Sequence, residues 1–235
     1  MTGPSDHPAA EGLRALLGGA SEALKVFPLP EVVLFPGAPG PFHVFEPRYR
    51  AMIADALAGD RLVAVATLRS AEGASEERAA LFPVAGVGYV EAEERLPDGR
   101  YNVLLRGVAR VRLVEERLGT GKPYREFRVE VIDDVHPAGG PAALAPEVAT
   151  LEHCVLELAR RADDESGTRD LAEAVARMRV PSRLADAVAA ALVSDTSARL
   201  AILEERDVAR RLRRVVDEVA SLLAATPSRG PVASA

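Results

Sequence analysis

Four places in the sequence combine residue types that do chemistry in other proteins, and the spacing at each decides what it can do. Gly119-Thr120-Gly121-Lys122 has the glycine–lysine ending of a phosphate-binding loop. Such a loop needs a glycine five positions before the final glycine and a Ser or Thr after the lysine. Those places hold Glu116 and Pro123, and the proline removes a backbone N–H where a phosphate cradle needs donors. The segment reads as a turn between strands. His153-Cys154 sets a base beside a thiol, but adjacent helix residues diverge by about 100° and do not face each other. Cysteine is also among the most buried residue types, so a core cysteine beside a surface histidine is expected. The histidines, His7, His43, His136 and His153, lack metal-ligand spacing, and Cys154 offers no partner thiol. Asp163-Asp164-Glu165 are consecutive, whereas a calcium loop needs alternating ligands, so they read as a solvated turn. Neither a Gly-x-Ser-x-Gly elbow nor a glycine-rich dinucleotide fingerprint occurs. No catalytic residue, cofactor site or metal site is expected.

The chain-wide balance narrows the classes further. A net charge of −6, an aromatic content of 4% and the lack of tryptophan weigh against nucleic-acid binding, which favours basic faces and stacking rings. The single cysteine excludes an internal disulfide and fits a reducing compartment. The first ten residues do not form a signal peptide, and no apolar run approaches the roughly 20 residues that span a bilayer. A cytoplasmic protein without a membrane segment is expected.

The elements that position these residues fall into two blocks between tails. Residues 1–22 and 226–235 read as flexible tails rich in small residues and proline. Residues 23–138 read as strands and turns with one helix, and residues 139–225 as helices only. In the first block the prolines of Val26–Pro30 and Val32–Gly37 suggest short edge strands or an extended arm across a barrel. Phe42–Phe45 is a second extended run. Pro47 then suits the first position of a helix with Tyr49, Met52, Ile53, Ala56 and Leu57 on one face, and Gly59 is placed to end it. Leu62–Leu68 has the length and composition of a buried strand. Ser70–Ala80 reads as a surface loop. Pro97-Asp98-Gly99 between two strand-like runs is a hairpin signal, and Gly107 suits a bulge. A last strand holds Phe127, Val129 and Val131. In the second block, helices are expected over 144–162, 170–178, 181–193 and 208–225, with Asp195 or Thr196 capping a short one that carries Leu200, Ile202 and Leu203. The final helix has an apolar stripe of Val208, Leu212, Val215, Val219 and Leu222, and its arginines (Arg210, Arg211, Arg213 and Arg214) read as a solvated face.

The run Phe27-Pro28-Leu29-Pro30-Glu31-Val32-Val33-Leu34-Phe35-Pro36-Gly37, followed by Phe42-His43-Val44-Phe45-Glu46-Pro47-Arg48-Tyr49-Arg50, resembles the opening of the Lon protease N-terminal, substrate-binding domain. Leu81-Phe82-Pro83-Val84, Pro97–Tyr101, Leu105–Arg110, Leu184–Ala190 and Ala201–Leu212 resemble later segments of that family in the same order. The resemblance spans about residues 24–225. It implies an α+β fold, a PUA-like β pseudo-barrel followed by an all-helical bundle, and a non-enzymatic recognition module. Lon itself adds an ATPase and a Ser-Lys protease, for which this chain of 235 residues has no room. One departure is Gly37-Ala38-Pro39-Gly40-Pro41, where the family more often carries Leu or Met.

On this reading the partner is unfolded polypeptide or a protein in quality control, and the oligomeric state is left open. Candidate peptide-binding residues are Phe35, Phe42 and Phe45, near an exposed apolar groove. Glu46, Pro47, Arg48 and Tyr49 are expected to build the helix entry. The alternatives are a PUA-like RNA-binding module, which needs clustered bases with stacking aromatics, and an enzyme, which needs a pocket of perturbed titratable groups.

Overall fold

The computed structural model describes residues 17–69, 79–161 and 167–226. Most of both expected tails, the 70–78 loop and Asp163–Glu165 lie outside the described residues. Residues 17–22, expected within the first tail, instead begin the folded part: Leu17 and Ala20 are buried among Leu24, Val26 and Val129.

The chain forms two compact units that divide between Ile132 and Asp133. Among the described residues the first contains, after a helical turn at 17–20, the elements β1 (Leu24–Leu29), β2 (Pro39–Val44), α1 (Pro47–Ala58), β3 (Leu62–Leu68), β4 (Leu81–Arg95), β5 (Tyr101–Glu116) and β6 (Arg125–Val131). The sheet order is β2-β5-β4-β3-β1-β6, and β5 also pairs with β6. All pairs are antiparallel except β1 with β3. Strand β5 is long enough to take β2 beside its first half and β6 beside its second. The sheet therefore coils back on itself as a pseudo-barrel and is not a regular closed barrel.

Strand β1 differs from the expected edge strand, because it lies between β3 and β6. Only Leu24–Val26 pair with β6, whereas Val26–Leu29 pair with β3. Pro28 thus stands clear of the second ladder, where a missing N–H costs little. Strand β3 matches its expected bounds and is buried on both faces. Its alternate residues feed two cores: Val63 and Val65 pack with Tyr49, Met52 and Ile53 of α1, and Leu62, Ala64 and Ala66 pack with Val87, Val111 and Phe127. This is the period of two that a strand imposes.

Between β1 and β2 the chain becomes an arm. It turns at Glu31, whose φ is 56°, and Val33, Leu34 and Phe35 are then buried without joining a strand. Two glycines make the room. A Cβ on Gly86 of β4 would lie 1.8 Å from the Leu34 carbonyl oxygen, and one on Gly107 of β5 would lie 2.0 Å from that of Phe35. Gly107 also sits at a register shift in the β4–β5 ladder, as its bulge signal suggested. Its carbonyl accepts from Gly37 N–H at 2.7 Å and its N–H donates to Ala38 at 2.9 Å.

The second unit contains a 3-10 turn (Gly140–Leu144) and α2 (Ala145–Arg161), α3 (Thr168–Arg177), α4 (Pro181–Leu192), α5 (Thr196–Glu204) and α6 (Val208–Ala225). Asp195 and Asp207 cap α5 and α6 by accepting from Ala198 and Arg210 N–H. The α6 stripe is buried from Val208 to Val219, and Leu222 remains part exposed. Cys154 is buried and His153 exposed. Arg211 departs from the expected solvated face, because it is fully buried. Its guanidinium donates to Asp134 at 2.8 Å and to the Glu205 carbonyl at 2.9 Å, and its Nε lies 3.4 Å from buried Asp186. Val135 bridges to Asp207, so residues 133–138 belong with the helices and not with the sheet.

Candidate recognition surface

The family-like run places its aromatic residues in three environments. Phe35, the last residue of the buried arm, is fully buried, so as a candidate peptide contact it is corrected to a core residue; Gly107 opposite leaves room for its backbone. Phe42 is half-buried, its ring edge-on to Phe27 at 5.7 Å. Phe45 is 60% exposed, the most exposed of the three. Glu46–Tyr49 surround the start of α1. Pro47 takes the first helical position, and Glu46 occupies the cap without a side-chain cap hydrogen bond. The Glu46 carboxylate instead accepts from Arg48 at 2.8 Å. The Arg48 guanidinium lies 4.6 Å over the ring of Tyr49, which packs on Phe27.

Strand β2 is an edge strand. Gly40 and Val44 point inward, and Pro39, Pro41 and His43 point outward. The prolines blunt the free edge: they occupy positions whose N–H would face away from β5, and of the outward set only His43 has an N–H to offer. The outward side chains continue across the sheet, since Pro41 pairs with Leu104 and His43 with Asn102. Leu104 and Asn102 pair in turn with Ala92 and Glu94. A shallow, open depression of about 560 Å³ lies over these residues. An apolar row of Pro41, Leu104 and Ala92 runs beside a polar row of His43, Asn102 and Glu94. Sequence reasoning missed the β4 and β5 members, because cross-strand register cannot be read from one strand alone.

The polar row is wired together. His43 Nδ1 lies 2.7 Å from Asn102 Oδ1, and Asn102 Nδ2 donates to Glu94 at 2.8 Å. Arg100 NH1 lies 3.2 Å from His43 Nε2 while its Nε donates to Asp98 at 2.6 Å. These contacts suit the tautomer with hydrogen on Nδ1. The Phe45 ring stacks beside His43 with centroids 6.3 Å apart.

A second depression, about 310 Å³, lies between Pro28, Arg48, Tyr49, Lys122 and Tyr124. Its charges are tied down. Lys122 and the Tyr124 hydroxyl each donate to Asp55 at 2.6 Å, and Arg125 pairs with Glu116. Those two bonds, the lysine's first, hold the Asp55 carboxyl below its usual range, and burial pushes the Tyr124 phenol upward. This cluster fastens α1 to the turn after β5. Among the described residues, no three His, Cys, Asp or Glu are grouped to hold a metal ion, and no helix is long and apolar enough to cross a membrane.

Residues 23–221 match the profile of the family described as the ATP-dependent protease La (LON) substrate-binding domain. The chain belongs to this family. Its similarity to Lon protease 2 of Herpetosiphon aurantiacus is 31% identity over 193 residues, 82% of this chain but 23% of that protein. Lon protease 2 of Myxococcus xanthus is 28% identical over 83% of this chain and again 23% of its own length. The chain thus spans about a quarter of the curated Lon relatives it matches. Two solved structures share the fold. The N-terminal domain of Mycobacterium avium complex Lon protease has a TM-score of 0.66 at 19% identity, covering 85% of this chain and 98% of that one. A Lon N-terminal domain protein from Xanthomonas campestris has a TM-score of 0.55 at 22% identity, covering 87% and 99%. The α+β expectation of a pseudo-barrel followed by helices holds, and the match is to the substrate-binding part of Lon.

Proposed function

We propose that this Lon-type substrate-binding domain recognises unfolded or extended polypeptide in protein quality control, without catalysis of its own, and that the β2–β5–β4 face makes the contact. The observation that carries the reading is the family match over residues 23–221. The exposed Phe45 and the Pro41–Leu104–Ala92 row add an apolar surface of the kind unfolded clients can use. Because the prolines blunt the β2 edge, a client lies across the face and is held by side chains more than by strand addition. Phe42, half-buried at the inner side of the face, supports the surface more than it touches the client. The test is fluorescence anisotropy of a labelled unfolded polypeptide at low and moderate salt. Saturable binding that survives moderate salt and weakens several-fold in Phe45→Ala supports the reading. No binding at tens of micromolar contradicts it.

A further inference from the structure

We infer that the client segment this face prefers is apolar with lysine or arginine beside the apolar residues. The inference rests on the polypeptide-binding reading above and adds a charge rule to it. Two carboxylates, Glu93 and Glu94, line the depression, and among the described residues no lysine or arginine does. The surrounding arginines already have partners: Arg61 pairs with Glu93, Arg100 with Asp98 and Arg106 with Glu91. Arg95 alternates to the other side of β4 and lies over the Tyr101 ring at 5.9 Å. Glu94 is different, because its partner in the network is the neutral amide of Asn102. Its charge is held in place and left uncancelled at the surface.

The apolar half of the rule comes from the adjacent row, and a second cation acceptor stands at its end. Phe45 is 60% exposed, and one side of its ring is stacked by His43. The π-system of such a ring attracts an ammonium or guanidinium group. Glu94, Asn102 and His43 sit on three neighbouring strands about 4.8 Å apart, so the carboxylate and the aromatic pair bracket a width that one extended segment can cross. An acidic segment would meet Glu94 as a like charge.

The test uses the full chain and three labelled peptides of equal length. All carry the same apolar residues, and their polar positions are lysine, glutamine or glutamate. The lysine peptide is expected to bind about five-fold tighter than the glutamine peptide, as one exposed ion pair plus one exposed cation–π contact allow. The glutamate peptide is expected to bind weakest. Glu94→Gln keeps an acceptor for Asn102 and is expected to reduce the ratio of lysine-peptide to glutamine-peptide affinity. Phe45→Leu, which keeps an apolar side chain and removes the π-face, is expected to reduce the preference further. Equal affinity for lysine and glutamine peptides, or a preference that Glu94→Gln leaves intact, overturns the charge rule while polypeptide binding stands. Failure of all three peptides to bind overturns both.

Discussion

The arm at Val33–Phe35 and the open face at Pro39–Phe45 both carry aromatic and aliphatic residues, yet one is buried and the other turns every second residue to solvent. The difference lies opposite them. Gly86 and Gly107 present bare backbone to the arm, so its carbonyls approach to distances that any side chain would forbid. Strand β2 instead lies at the sheet edge, where alternation sends every second residue outward. Burial of an apolar residue is thus decided by its partner strand as much as by its own type.

The largest effect that would break this comparison is expected from Phe35→Ala. Removing a fully buried phenylalanine should cost about 3–5 kcal/mol, read from the urea midpoint of unfolding. A loss below about 1 kcal/mol would mean that the arm is not packed as described. Next comes Gly86→Ala, which places a methyl group against the Leu34 carbonyl. Overpacking of this kind should cost about 1–3 kcal/mol or more, and Gly107→Ala should behave alike. Phe45→Ala on the open face should change stability by no more than about 0.5 kcal/mol, while polypeptide affinity falls several-fold.

The smallest effect concerns Asp55, which ties α1 to the turn after β5. Its folded carboxyl is held low by Lys122 and Tyr124. The stabilisation is therefore present above the unfolded value of about 3.9 and is lost as pH falls through the lower folded value. The stability difference between the parent and Asp55→Asn should be constant near neutrality and shrink below about pH 4. A difference that grows on acidification would contradict the assignment.

Much of the fold was legible because local pattern and tertiary role agree. The Leu62–Leu68 run, the Pro97-Asp98-Gly99 hairpin and the stripe from Val208 to Val219 each state their environment in their own residues. Arg211 was misread by residue type: it stands three residues after Val208 and four before Val215, on the flank of the apolar stripe, whereas Arg210 and Arg214 face away from it. The carboxylates that accompany its burial, Asp134 and Asp186, lie far away in sequence. Removing one partner of such a buried group leaves an uncompensated charge. The recognition face was legible in part. The resemblance led to Phe45, but Leu104, Ala92 and Glu94 join it only through register. Phe35 was misplaced because the decisive glycines lie some fifty to seventy positions further along the chain.

The most direct test of the central claim is hydrogen–deuterium exchange of the full chain with and without an unfolded polypeptide. The account predicts slowed exchange in residues 39–45, 92–95 and 101–106, with the buried arm and the helical unit unchanged. Protection confined to the helical unit, with the β2–β5–β4 face exchanging as before, would contradict it.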